Sequence, residues 1–203
     1  MFLDDKWALG GIEAAGDWDT NLEEIWHIIT LGWDHVYPLD FGVRPGNSQI
    51  GEAMDAARGG QFQYPPETYP EEAWYRFYDP TCVYDCQIYE YFYWILMANI
   101  GALDPKFTDK CESSKPEWHI CSKEELQQID PKAYDLLNNQ GFELPTQIPN
   151  GLYRGIVPVG DNPVAMTFDG SHLWVIDYYS ADESLVKIDP NKGTVSDVFP
   201  IGS

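Results

Sequence analysis

At 203 residues and 44% hydrophobic content, the chain is long enough for one large domain or two small ones and can form a real core, which excludes a disordered protein. Its formal net charge of −21, from 12 basic and 33 acidic residues, repels polyanions, and no basic patch with interleaved aromatics offsets it. Nucleic acid and anionic membrane surfaces are therefore poor partners, while an acidic chain with 15% Phe, Trp and Tyr suits secreted, periplasmic or halophilic proteins and favours calcium or cationic ligands.

The first residues, Met1-Phe2-Leu3-Asp4-Asp5, have neither a basic region nor an apolar run and so form no signal peptide. The expectation is either a cytosolic protein or a true start that is missing. Gly10-Gly11 and Gly16-Asp17-Trp18-Asp19 read as an extended piece and a turn. The first helix is predicted from Thr20 to Gly32, with Leu22, Ile25, Trp26 and Ile29 as one apolar stripe, Thr20 and Glu23 as a capping box, and Gly32 as the stop. At about 100° per residue, Glu23, Glu24, His27 and Leu31 project from the opposite side, so their ionisable groups can reach one ion or one substrate. Ile28 and Leu31 beside them predict that this side is covered too.

A Gly/Pro-punctuated loop then leads to a helix capped by Ser48, with Ile50, Ala53, Met54 and Ala57 on its apolar face, Arg58 in its last turn and Gly59-Gly60 ending it. Residues 61–70 are a Pro/Tyr loop, and Pro70–Phe77 is predicted as a short helix. The strongest helix is predicted from an Asp79 cap and an N1 proline, Pro80, through to Asn99, with Gly101 as its stop. Between Asp85 and Asp104 its only charged residue is Glu90, and a lone carboxylate in such a helix must, if buried, be paired, protonated or metal-bound. The longest apolar run, Ile88–Leu103, contains Glu90 and Asn99 and is too short to span a bilayer comfortably, so it reads as a core helix.

Residues 105–121 read as a loop; Ser122 with Glu125 forms a second capping box, and Asp130-Pro131 opens a helix that ends near Gly141. Cys82, Cys86, Cys111 and Cys121 allow three pairings, and disulfides are expected over a four-thiolate zinc site because the second pair lacks a tight knuckle. At least one bridge is expected to join Cys82 or Cys86 to Cys111 or Cys121.

From Leu144 onward the signal changes from helical to short β, which makes the fold class α+β: an α-rich domain over residues 1–150 and a β unit over 151–203. Four strands are predicted, Val164–Phe168, Leu173–Tyr178, Leu185–Ile188 and Thr194–Phe199, which by size is one antiparallel blade of a β-propeller. Val157-Pro158-Val159-Gly160-Asp161 recurs as Phe199-Pro200-Ile201-Gly202-Ser203, a spacing of 42 residues (157 to 199) that equals one blade.

Asn162–Val175, with its Asp169-Gly170-x-x-Leu173-Trp174-Val175 core, and Leu185–Gly193, with its Ile188-Asp189-Pro190 turn, resemble one repeat of the NHL-like and streptogramin-lyase-like propellers. The resemblance covers about the last fifth of the chain. It implies repeat architecture and no particular reaction, with the chain a piece of a larger protein and the blade incomplete, able to self-associate through its uncovered face.

Glu23-Glu24-Ile25-Trp26-His27 resembles the zincin metallopeptidase helix, His-Glu-x-x-His, with glutamate in place of the first histidine. The resemblance implies a zinc site with Glu24 as general base, His27 and Glu23 as ligands, and Glu90 as the third ligand from a later helix. His35 is a reserve ligand, and His119 and His172 read as loop and turn histidines. No Gly-rich phosphate loop, nucleophile elbow or EF-hand loop is present. The expected function is a zincin-like, metal-dependent hydrolase acting on a peptide, extracellular or periplasmic; the alternative is a non-catalytic extracellular binding or scaffold protein that makes its contacts through the propeller.

Overall fold

The computed structural model describes residues 20–147, 157–160, 162–178 and 183–201. The turn read over residues 10–19, the boundary near 150, the Thr20 cap, the Leu22 side chain and the first half of the break at 181–184 lie outside the described residues. The chain is α+β, with a helical region followed by a four-stranded antiparallel open sheet. By its internal contacts it divides into Met1–Leu152 and Tyr153–Ser203.

In the helical unit the described elements are α1 (Thr20–Val36), α2 (Pro38–Phe41), α3 (Gln49–Ala57), α4 (Tyr84–Asn99), α5 (Lys110–Ser113), α6 (Lys123–Ile129) and α7 (Pro131–Asn138). The centre is α4, whose residues from Tyr91 to Asn99 are all buried. A helix buried on every side has no amphipathic stripe, because each face meets a neighbour. Trp26 of α1 meets Phe92 edge-on at 5.4 Å, and Phe41 of α2 stacks on Phe92 at 4.9 Å. Tyr91 and Trp118 complete an aromatic layer with Tyr75 and Trp94.

Two polar groups tie this core together. Asp130, 1% exposed, accepts hydrogen bonds from the Tyr91 hydroxyl (2.6 Å), Trp74 Nε1 (2.9 Å) and the Ala133 backbone N–H (3.1 Å), so the α7 cap is also the junction of three chain segments. Arg58, fully buried, donates to Asp55 at 2.8 Å, Gln87 at 2.5 Å and the Phe62 carbonyl at 3.1 Å, and its guanidinium lies over the Phe62 and Tyr84 rings. Arg58 therefore does more than follow α3: it fastens α3 to α4.

Several sequence expectations need correction. Helix α1 runs through Gly32 to Val36 because Trp33 packs on Phe41 and Phe142 and Asp34 accepts from the Val43 N–H, contacts that outweigh a glycine's cost of about 1 kcal/mol. Its apolar stripe does not face inward: Trp26 and Thr30 are buried, whereas Ile25 and Ile29 are exposed. Residues 70–77 form no helix; Tyr75 instead makes an antiparallel bridge with Trp118, flanked by bonds from Arg76 N to Glu117 O and from His119 N to Trp74 O. Helix α4 starts at Tyr84 and not at Pro80, since the Asp79 carboxylate is engaged with Thr81 in a local turn. Both disulfides are local, Cys82–Cys86 and Cys111–Cys121, with Cα separations of 5.2 and 5.5 Å, so no bridge joins the two pairs. The first pair straddles the start of α4 four residues apart, and the second closes the loop that carries Glu117 and Trp118.

In the second unit β1 (Pro163–Phe168), β2 (Leu173–Asp177), β3 (Ser184–Asp189) and β4 (Thr194–Pro200) pair in sequence order. Met166, Val175, Val186 and Val198 lie opposite one another across the strands, and Ala165, Ile176, Leu185 and Phe199 form the row on the other face. Val175, Val186 and Ile188 are the buried core, and Val157 and Val159 pack against it. Gly160 has φ of +112°, and an added Cβ would collide with the Asp177 carboxylate, so the Val157–Gly160 segment closes on the sheet only with glycine there.

Candidate metal centre

Positions 23 and 27 are one turn apart on α1, which stacks the Glu23 carboxylate over the His27 ring on the side that meets α4. Glu90 enters from the second turn of α4, just before the buried run begins. Ligand atoms of Glu23, His27 and Glu90 lie within 4.8 Å of one another, and His27 Nε2 is 3.5 Å from Glu90 Oε1. The His27 and Glu90 side chains are only 22% and 19% exposed. Thus the three residues that the zincin resemblance names as ligands come together in the folded chain.

Glu24 stands apart from the three. It is exposed on the flank of α1 and does not belong to the cluster, although its charge reaches Glu23, His27 and Glu90. His35 is exposed near the end of α1, with Nδ1 2.9 Å from the Leu31 carbonyl, and does not join the cluster. His119 is exposed beyond the Tyr75–Trp118 bridge, and His172 sits in the β1–β2 turn, where its backbone N–H bonds to Asp169. A cavity of about 680 Å³ beside the Cys111–Cys121 bridge is lined by His119 and Lys123 but by none of the three clustered residues.

Sequence reasoning missed Glu117. It lies in the loop closed by Cys111–Cys121 and accepts a 2.8 Å bond from Trp94 Nε1, one turn beyond Glu90 on α4. Its charge acts on both Glu23 and Glu90. A loop residue shows no periodicity, so the only cue to its position is that a bridge spaced as Cys111 and Cys121 are must fold the intervening residues back.

The electrostatics follow from crowding carboxylates in a poorly solvated place. Burial, then Glu23, Glu117 and Glu24, push the Glu90 carboxyl up to about 8. Burial raises Glu23 as well, partly countered by Lys110, and burial raises Glu117 against the pull of its Trp94 bond and Lys110. Burial lowers His27, with Glu24 acting in the opposite direction. The 3.5 Å contact of His27 with Glu90 has the length of an ion pair, yet burial holds the imidazole below and the Glu90 carboxyl above their ordinary values, which favours the uncharged pair.

Such a site fits a divalent cation. Zinc holds its ligands at about 2.0–2.2 Å, which sets neighbouring tetrahedral ligand atoms roughly 3.4 Å apart, close to the His27–Glu90 spacing. Carboxyls raised by burial and by neighbouring carboxylates are those a cation would deprotonate and neutralise. His27 Nδ1 is buried without a hydrogen-bond partner, so the acceptor that usually fixes the orientation of a metal-bound imidazole is missing on that side.

No protein-family model matches the chain, and neither a curated protein nor a solved structure matches it. Among the described residues no helix is long and apolar enough to cross a membrane, and the two disulfides are consistent with an oxidising compartment.

Proposed function

We propose that the helical unit is a zincin-like, metal-dependent hydrolase domain acting on peptides in an extracellular or periplasmic setting, with Glu23, His27 and Glu90 as metal ligands and Glu24 as general base. The observation that carries this reading is the convergence of Glu23, His27 and Glu90 from two helices, 63 residues apart in sequence between 27 and 90. A bound zinc ion supplies Lewis-acid polarisation of a carbonyl and a more acidic water. The protein's own groups do the rest. Glu23, Glu90 and His27, through Nε2, would hold the cation, with the Glu90 carboxyl deprotonated in doing so, and Glu24, exposed one residue from a ligand, would accept a proton from the solvent side. Tyr93, fully buried with its ring 6.2 Å from that of His27, lies on the inner side of the site.

Metal analysis of the native protein after dialysis tests the reading. One equivalent of zinc is expected, lost in His27→Ala and in Glu90→Ala, whereas Glu24→Gln keeps the metal and loses hydrolysis of an unstructured peptide. Absence of stoichiometric transition metal from the native protein refutes it.

A second reading has its own support: Glu24 lies outside the cluster, so a bound ion could serve architecture alone. On that reading the protein is a non-catalytic extracellular binding or scaffold protein, and the sheet, as one propeller-like repeat, makes its contacts. Full peptide inertness of a zinc-loaded protein selects it.

A further inference from the structure

The Cys111–Cys121 bridge borders a cavity. Both cysteines line this space of about 680 Å³, a size that admits a small molecule. The two residues differ in access: Cys111 is 6% exposed, whereas Cys121 is half-buried and meets solvent. The segment between them does not depend on the bridge for its place. Trp118, fully buried, stacks on Trp94 and meets Tyr75 and Tyr91 edge-on. Its neighbours bond across to the 74–76 stretch, from Arg76 N to Glu117 O and from His119 N to Trp74 O. On the other side the Ser114 N–H donates to the Lys110 carbonyl and holds the turn around Cys111. Opening the bridge therefore leaves these anchors intact, so the folded chain can react there.

We propose that Cys111–Cys121 is a site of reversible exchange with a low-molecular-weight thiol that enters this cavity, and that the thiol is carried on Cys121. The incoming thiolate, its proton already lost to water, attacks Cys121 Sγ, the more accessible sulfur. The bond to Cys111 Sγ breaks, and Cys111 leaves as a thiolate that takes a proton from water. The incoming thiol is oxidised to the mixed disulfide and Cys111 is reduced, so the step needs no other oxidant or reductant. Burial then favours the protonated Cys111 thiol, a poor nucleophile, and the adduct on Cys121 lasts.

Charge favours this bridge over the other. A thiolate is an anion and meets a chain of net charge −21. Residues 106–132 carry five of the chain's 12 lysines and arginines against six acidic residues, which brings this stretch close to neutrality. Lys115 and Lys123 line the cavity, opposite the acidic Glu112 and Glu124. Cys82–Cys86 stands between Asp79 and Glu90 with Asp85 beside it, and no lysine or arginine occurs from residue 77 to residue 105. Cys82 is also 3% exposed, and its carbonyl is held by Gln87 Nε2 at 2.9 Å.

Reduced glutathione added to the native full chain, without denaturant, tests the proposal. After a quench with iodoacetamide, peptide mass mapping is expected to show glutathione on Cys121 and the alkyl group on Cys111. This bridge is expected to open at least about tenfold faster than Cys82–Cys86. Its rate should stay the same in urea well below the unfolding transition, with an unchanged near-ultraviolet dichroism spectrum, because the reaction needs no unfolding. Removal of glutathione is expected to restore the bridge. Glutathione on Cys111, equal rates at the two bridges, or both cysteines alkylated with no adduct at any glutathione concentration overturns the proposal. Opening only in urea that unfolds the chain overturns it equally, since the bridge is then a structural staple alone.

Discussion

Glu90 is neutral at pH 7 only because the fold withholds water and surrounds it with carboxylates. From its ordinary 4.5 to about 8, the folded chain keeps a proton here that the unfolded chain has released. The folded state then binds more protons, so in metal-free protein stability falls as pH rises through this window and levels off above it. His27 acts on the acidic side: its lowered value means the unfolded chain takes up a proton below 6.5 that the folded chain refuses, and stability falls as pH drops. Urea melts of Glu90→Gln in chelator are expected to show a higher midpoint than the native chain at about pH 8 and little difference at about pH 4. A cation reverses the slope, since binding expels the Glu90 proton; calorimetry in buffers of different ionisation enthalpy should register that release. Elsewhere in the core, Asp130 holds three donors at once. Asp130→Ala leaves the buried Tyr91 hydroxyl and the half-buried Trp74 Nε1 unpaired and removes the α7 cap, at a cost of about 3 kcal/mol or more, against about 1 kcal/mol for Tyr91→Phe, both measurable by urea denaturation.

Among the elements, the helix starts show how one local rule acquires different weight from its surroundings. Ser48 and Ser122 each accept a 3.1 Å bond from the backbone N–H three residues on. Ser48 is 4% exposed and also donates to the Gly42 carbonyl, so Ser48→Ala is expected to cost about 2 kcal/mol; Ser122→Ala, with water at hand, costs about 1 kcal/mol or less. Equilibrium unfolding of the two variants side by side checks the difference. Both caps were legible in the sequence because their chemistry lies within four residues. The strands were legible for a similar reason: period-two alternation between Asp169-Gly170 and the Asp189–Gly193 turn leaves little choice of register. What the sequence hid is what distant residues decide. The α1 pattern has two apolar sides, Trp26–Thr30–Trp33 and Ile25–Ile28–Ile29, and only the packing of Trp26 on Phe92 selects between them. The Pro70–Phe77 stretch has helical spacing but loses its helix to a bridge with Trp118, 43 residues beyond Tyr75. The site divides along the same line. Glu23 and His27 follow from spacing and Glu90 from its isolation in an apolar run, whereas Glu117 depends on how a cysteine loop folds.

At the scale of the whole molecule, a charge of −21 opposes compaction everywhere. Raising salt from about 0.01 M to about 0.15 M shortens the screening length from about 30 to 8 Å, so the melting temperature should rise over that range, and calorimetric scans would show it. A chain stabilised mainly by surface ion pairs would respond the other way, and the ion pairs between described residues are mostly exposed and few. The two bridges bear on how the fold is reached. Each joins cysteines 4 or 10 residues apart and closes before any distant segment needs to arrive. Of the three ways to pair four thiols, the native one has both short loops, so proximity alone favours it during oxidation. A chain entering an oxidising compartment N-terminus first can lock each loop as it emerges, and it would depend little on an isomerase to undo wrong pairs.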